Sequence, residues 1–459
     1  MSLPAYAEYK KTGFIWVDLA PSHWPLNRLG DICHFEQGKA HEPFIDPDGE
    51  YICVNSRFVS TEGASRKFCL KNLTPVKMHD ILMVMSDLPN GRALAKAYFV
   101  QDDRPYAVNQ RVCRISTNKN AFARFLFYLL NRHPDLMMCD DGVNQTHLSN
   151  SDYLKLKIYL PSLSEQTTIA RFLDHETAKI DALIAEQQRL IDLLKEKRQA
   201  VISHAVTKGL DPNAPMKDSG VEWLGDVPEH WTTCQLRRVI LKIEQGWSPE
   251  CENRVAEDDE WGVLKTGCLN GGRFNVLESK ALPPYLTPKT EYQIHKNDLL
   301  MSRASGSPKL IGSVALVPKI NKNLMMSDKI FRLNLDEKMI EKEFFVYVSV
   351  ALFFRAQLEN AISGAEGLAN NLPQTNIKGF WIVIPRMIEQ EKIIKFLDQQ
   401  TAKIDELISN AHQGIDLLKE RRSALISAAV TGKIDVRGWQ PPATAATTPQ
   451  GQQQILFDD

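Results

Sequence analysis

The sequence predicts an α+β protein: two mixed α/β domains related by a pseudo-twofold and separated by two long helices that form an antiparallel coiled coil. Three observations predict it. The chain carries an internal repeat, each copy contains a long heptad-patterned segment, and the remaining blocks hold short β-rich runs broken by turns.

The repeat is plainest in two stretches. One copy runs from Pro161 through Glu165-Gln166, Phe172-Leu173-Asp174, Thr177-Ala178-Lys179-Ile180-Asp181 and Leu193-Leu194-Lys195-Glu196. The other runs from Pro385 through Glu389-Gln390, Phe396-Leu397-Asp398, Thr401-Ala402-Lys403-Ile404-Asp405 and Leu417-Leu418-Lys419-Glu420, with no gap up to Thr207 and Thr431. A second echo opens each half. Trp16 precedes Pro21-Ser22-His23-Trp24 and Gln37-Gly38, as Trp223 precedes Pro228-Glu229-His230-Trp231 and Gln245-Gly246. The blocks between differ in length and align only faintly, through Asp80-Ile81-Leu82-Met83 beside Asp298-Leu299-Leu300-Met301 and Arg111 to Arg114 beside Lys329 to Arg332.

Seven-residue steps place Leu173, Ile180, Gln187, Leu194 and Val201 on one line, with Ile184, Ile191, Arg198 and Ala205 on a second. The other copy gives Leu397, Ile404, Ala411, Leu418 and Leu425, with Ile408, Ile415, Arg422 and Ala429. These are coiled-coil seams, and Arg198 and Arg422 interrupt them at equivalent places, where a polar residue can fix register. The helix-pair interface is therefore expected at Ile180, Ile184, Ile191, Leu194, Val201, Ile404, Ile408, Ile415, Leu418 and Leu425. Ser162 with Glu165 has capping-box spacing, and Gly209 and Gly432 stand where helix stops belong.

In the divergent blocks, runs at 51–54, 81–85, 331–335 and 381–384 read as strands, 88–91 and 304–308 as turns, and 121–131 and 341–358 as helical. The domains are placed at 1–160 and 223–384, the helices at 161–207 and 385–433, a Pro- and Gly-bearing linker at 208–222, and a disordered tail at 434–459.

Composition narrows the class. The 43% hydrophobic and 24% charged residues suit a globular protein, and the longest apolar runs fall short of a membrane span. The N-terminus shows no secretory pattern, and the eight cysteines form no Cys-x-x-Cys pair, so a zinc site is not expected and a reducing cytoplasm is. A net charge of −1 means that any DNA affinity comes from local basic surfaces.

Catalytic motifs are missing. Leu282-Pro283-Pro284-Tyr285 echoes the Asn/Asp-Pro-Pro-aromatic motif of amino-methyltransferases, but Leu282 offers no acceptor for a flipped base's amine, so it reads as a turn. Neither a Gly-x-Gly cofactor loop nor a phosphate-binding Gly-x-x-x-x-Gly-Lys is present. Asp259 with Glu278 and Lys280 has only loose nuclease spacing, and solvated surface charge explains it better. No catalytic or metal-ligating residue is assigned.

Divergent block, copied helix, divergent block, copied helix resembles the specificity (S) subunits of type I restriction–modification systems, over nearly the whole chain to about Asp435. The resemblance rests on the Pro161 and Pro385 motifs, the two Asp-Ile/Leu-Leu strands and the Asn-rich stretch 368–376. It implies a DNA-sequence reader with no chemistry of its own. The divergent blocks would be target recognition domains, each reading half of a bipartite, asymmetric site on double-stranded DNA. The helices would dock two methyltransferase subunits, and restriction/translocase subunits would join them. S-adenosylmethionine, ATP and Mg would then reside on those partners, and the setting would be a bacterial or archaeal cytoplasm. Base readout is sought in the turns after the two Asp-led strands, at Ser86 and Arg92 with Asn109, Gln110 and Arg111 further on in the first half, and at Arg303, Ser305 and Lys309 with Lys329 further on in the second, with Arg57 and Arg273 added. Arginine suits guanine and Asn or Gln suits adenine.

Two other readings compete. A coiled-coil scaffold or adaptor that binds protein only explains the seams but not why the two domains diverge, and a stand-alone methyltransferase lacks its motifs. The last residues, Gln453-Gln454-Ile455-Leu456-Phe457, resemble sliding-clamp docking peptides, although a chance match in a frayed tail is the favoured explanation.

Overall fold

The computed structural model describes residues 4–88, 93–140, 143–362 and 370–441. The chain divides into two units, Met1–Glu186 with Gly414–Asp459, and Gln187–Gln413. The first long helix spans Leu163–Lys208 and the second Met387–Val430, close to the expected bounds. Each unit therefore owns the beginning of one long helix and the end of the other.

The two units repeat one topology. In the first, a four-stranded antiparallel sheet has the order Cys33–Gln37, Val112–Thr117, Ile81–Val84, Ala97–Phe99. In the second the order is Ile240–Gln245, Ile330–Leu335, Leu299–Ser302, Val314–Leu316. Beside it lies a three-stranded sheet with one parallel pair, Tyr51–Val54 with Tyr106–Val108 in one unit and Trp261–Leu264 with Asn323–Met325 in the other. The four expected strands are all present, within one residue at each end.

The echoed residues have structural reasons. Asp80 and Asp298 accept the backbone N–H of Lys77 (2.7 Å) and His295 (2.8 Å), closing tight turns in which His79 and Asn297 take left-handed φ values of 73° and 68°. Trp24 and Trp231, 0% and 1% exposed, anchor the two main cores. In the first unit that core gathers Phe125, Tyr153, Phe172 and Leu173 from the sheet side and first helix, with Ala429 and Val430 from the end of the second. In the second unit Phe331, Phe344 and Phe354 meet Ile202 and Val206 from the end of the first helix, and Ile393 and Leu397 from the start of the second. Within each unit the helix segments thus run antiparallel.

Four expectations change, the first being that Ala304–Ser305, in the stretch expected as a turn, is a short strand paired with Asn370–Asn371. The stretch 208–222, expected to be a linker, contains the strand Met216–Asp218, which pairs with Asp226–Pro228 as Tyr9–Lys11 pairs with Leu19–Pro21 in the first unit. The tail does not begin at 434: Val436 is 1% exposed, and Trp439 packs edge-on against Phe172. Residues 442–459, including the Gln453 to Phe457 motif, lie outside the described residues, as do 89–92. The helical stretch 341–358 is two helices, Lys342–Val350 and Leu352–Ala361, broken where Ala351 takes extended backbone (ψ 148°). Gly209 (φ 78°) follows the first long helix and Gly432 (φ 73°) the second; a Cβ at Gly432 would lie 2.5 Å from the Pro21 ring.

Candidate nucleic-acid interface

The copied motif fastens each unit to its helices. Glu165, its side chain 5% exposed, accepts from Tyr6 Oη (2.7 Å) and Trp24 Nε1 (3.1 Å), and it pairs with His23 Nε2 (3.1 Å). Glu389 repeats this with His230 (2.9 Å) and, more loosely, Trp231 Nε1 (3.5 Å). Burial pushes the Glu389 carboxyl up, but donation from His230 and Trp231 outweighs it and holds the group below its usual range. Because Glu165 reaches across the unit, the capping box with Ser162 closes on one side only, Ser162 Oγ accepting from the Glu165 N–H at 3.3 Å. Gln166 accepts the Phe122 N–H (2.7 Å) and donates to the Pro161 carbonyl (2.9 Å); Gln390 does the same with Glu341 (2.8 Å) and Pro385 (3.0 Å). Asp174 takes Arg124 and Tyr128, both at 2.7 Å, and Asp398 takes Tyr347 at 2.5 Å.

The arginines that interrupt the seams are ion-paired. Arg422 meets Asp181 at 2.9 Å in the first unit, and Arg198 meets Asp405 at 3.1 Å in the second. Of the ten predicted interface residues, Ile180, Ile191, Leu194, Ile404 and Ile415 are buried, and Ile184, Val201, Ile408, Leu418 and Leu425 are half-buried.

At one end of each main sheet the loops converge. In the first unit Gly38 N–H donates to the Val112 carbonyl (2.9 Å), Lys39 to Val108 (3.1 Å), Asn109 to Val54 (3.0 Å) and Met85 to Arg111 (2.9 Å). In the second, Trp247 donates to Met326 (3.0 Å) and Arg303 to Lys329 (2.8 Å). The repeated Gln-Gly is required here. Gln37 and Gln245 side chains donate to the carbonyls of Gln110 (3.3 Å) and Asp328 (2.9 Å), while a Cβ on Gly38 or Gly246 would fall 2.2 or 2.1 Å from the Asn109 or Met326 carbonyl oxygen.

Besides Arg273, five of the predicted base-reading residues are exposed: Arg57, Gln110, Arg111, Lys309 and Lys329. Others are engaged within the fold. Asn109 is 7% exposed; its Nδ2 donates to Glu42 (2.9 Å), holding that carboxyl below its usual range, and its Oδ1 accepts from Gln110 N–H (2.8 Å). Ser86, 3% exposed, accepts from Gln145 Nε2 (2.9 Å). Ser305 Oγ accepts from Ser307 N–H at 3.2 Å. The Arg303 guanidinium lies 5.9 Å from the Phe331 ring centre and donates to the Asp328 carbonyl at 3.4 Å. Arg273 does not join this set: it pairs with Asp405 on the second long helix at 2.6 Å. Arg92 lies outside the described residues. Residues not singled out from sequence also stand here, namely Trp247 with Lys289 4.5 Å from its ring centre, and Ser248 hydrogen-bonded to Asp328. Only the Gln-Gly echo pointed to that loop.

The decoy motifs resolve simply. Leu286 N–H donates to the Pro283 carbonyl (3.0 Å), making Pro283-Pro284 a turn with Leu282 buried and Tyr285 exposed. Glu278 lies 3.9 Å from Lys265 in an exposed pair.

A family model described as the type I restriction modification DNA specificity domain matches residues 21–192 and again 228–416. The chain is 28% identical over 245 residues to the type I restriction enzyme EcoEI specificity subunit of Escherichia coli, a match spanning 52% of this chain and 40% of that protein. It is 23% identical over 430 residues to the type I restriction enzyme MjaVIII specificity subunit of Methanocaldococcus jannaschii, spanning 91% and 94% of the two chains. A solved chain from work on complex assembly and conformational transition of the type I R-M system shares the fold, with a TM-score of 0.66 at 16% identity, covering 90% of this chain and 99% of that one. Matched once on each half over most of its length, the chain belongs to the type I restriction modification DNA specificity domain family.

Proposed function

We infer that this chain is the DNA sequence-specificity subunit of a type I restriction–modification complex and does no chemistry itself. Each unit reads one half of a bipartite, asymmetric duplex target. The two long helices dock two methyltransferase subunits whose adenine methylation the chain directs, and restriction/translocase subunits join that core in the cytoplasm. S-adenosylmethionine, ATP and Mg act on those partners.

One observation carries the reading: the family match falls once on each of two units that share a strand order but differ at the sheet-end loops. Gln110-Arg111 in one stands where Asp328-Lys329 stands in the other, and Lys39 where Trp247 does. A shared scaffold with different tips suits two unlike half-sites rather than a palindrome. With a net charge of −1, affinity must come from local cations such as Arg111 and Lys329. No observation favours the protein-only scaffold, and sliding-clamp docking by the tail rests on its sequence alone.

The test is selection from a random duplex library by the chain co-expressed with its methyltransferase partner. The expected product is a split site with a fixed gap, methylated by the complex. Exchanging residues 25–160 for those of another family member should change one half-site only, since Trp24 and Glu165 stay in place. A folded complex that enriches no sequence would leave the scaffold reading standing, and methyl transfer by the chain alone would make it an enzyme.

A further inference from the structure

Asp328 occupies the position at the sheet end that Gln110 holds in the first unit, since Gln37 pairs with Cys113 and Gln245 with Phe331 in register. Its surroundings fix it from several sides. The carbonyl of Asp328 accepts from Gln245 Nε2 (2.9 Å) and Arg303 Nη1 (3.4 Å). Its N–H donates to Ser248 Oγ (3.1 Å), whose hydroxyl donates back to Asp328 Oδ1. Oδ2 has no hydrogen-bond partner among the described residues, and exposed Lys329 follows directly.

A half-exposed carboxylate is a poor neighbour for phosphate, so on a surface that meets a polyanion it weakens binding unless a donor from the ligand answers it. In the major groove that donor is a base amine, and the match for aspartate is cytosine N4. Adenine sets an N7 acceptor beside its N6 amine, which a carboxylate meets as repulsion, and the edges of guanine and thymine present only acceptors to it. Because Ser248 holds one oxygen, the other is presented with little rotamer freedom left to lose. Gln110, exposed at the equivalent place, carries instead an amide, which suits adenine.

We propose that Asp328, positioned by Ser248, is a specificity-determining residue that reads a cytosine in the half-site of the second unit. This rests on the DNA-specificity reading above. The experiment is library selection with the full chain in complex with its methyltransferase partner, comparing wild type with Asp328→Asn and Ser248→Ala. Wild type should enrich a C·G pair at one position of one half-site. Asp328→Asn should lower discrimination there by about tenfold or more, leaving the other positions and the other half-site intact. Ser248→Ala should relax the same position to a smaller degree. Asp328→Asn binding that falls equally for all sequences, or keeps the same preference, overturns the proposal. Should Asp328→Asn not fold, a Ser248→Ala complex that keeps full preference at every position overturns it instead. A wild-type complex that enriches no site at all means that the specificity reading itself has failed.

Discussion

Glu165 and Glu389 occupy the same place in the copied motif, yet truncating them should not cost the same. Glu165→Ala strands two buried donors, the hydroxyl of Tyr6 (5% exposed) and the indole N–H of Trp24 (0% exposed). Each unanswered donor costs about 1–3 kcal/mol, about 2 kcal/mol in mid-range, and the half-exposed His23 pair adds less than about 1 kcal/mol, so the mid-range total lies within about 3–5 kcal/mol. Glu389 is one-third exposed, its contact to Trp231 is 3.5 Å long, and water can replace it at His230, so Glu389→Ala should cost about 1–2 kcal/mol. For units of this size about 1 kcal/mol moves the unfolding midpoint by roughly 2–4 °C. The first unit should therefore melt roughly 6–20 °C lower in Glu165→Ala, and the second roughly 2–8 °C lower in Glu389→Ala. Calorimetry reads the midpoints, and hydrogen exchange over the segments around Trp24 and Trp231 assigns each transition to its unit. Glu165→Gln, which keeps an acceptor for both donors, should fall between wild type and Glu165→Ala. Equal losses from the two alanine variants, or a larger one from Glu389→Ala, would refute the reasoning.

Three further outcomes are expected. His133 is 1% exposed, its Nδ1 accepts the Asp135 N–H (3.2 Å) at a helix start, and burial lowers its pKa to about 4. A depressed histidine stabilises fully above the unfolded value of about 6.5 and loses that contribution as pH falls toward 4, at most about 3 kcal/mol. Urea midpoints should fall over that window in wild type and less steeply in His133→Asn, which keeps a capping acceptor; parallel slopes would exclude the cause. Gly38→Ala and Gly246→Ala each push a Cβ into a carbonyl at 2.2 or 2.1 Å, so each should cost about 2 kcal/mol or more and blur only its own unit's half-site, read by melting and by selection. Asp405 holds both Arg198 and Arg273 and is 29% exposed, whereas Asp181 holds Arg422 alone and is 51% exposed. Asp405→Ala should thus cost about 1–2 kcal/mol and Asp181→Ala less than about 1 kcal/mol, by urea unfolding.

The repeat and the two long helices were legible in the linear chain because a heptad pattern is written within a few turns of one helix, and the ten residues named on it are buried or half-buried. The strands at 51–54 and 381–384 were legible for the same kind of reason, as local β-rich runs. The composition of 208–222 spoke for a loop, yet three residues there become a strand because Asp226–Pro228 supplies the pairing, a contact no local propensity records. Arg198 and Arg422 could be seen to break the seams, but their partners Asp405 and Asp181 lie more than two hundred residues away along the chain. Asn109 looked free to read a base until the fold brought Glu42 and His41 onto its amide. Asp328 was passed over because Ser248, which orients it, is 80 residues distant and arrives only where Gly246 lets two backbones approach. Short-range periodicity decides which segments are helix or strand; which side chains stand free at the sheet end is decided by sheet register and by contacts between distant segments, whose hydrogen bonds use up some polar groups and orient others.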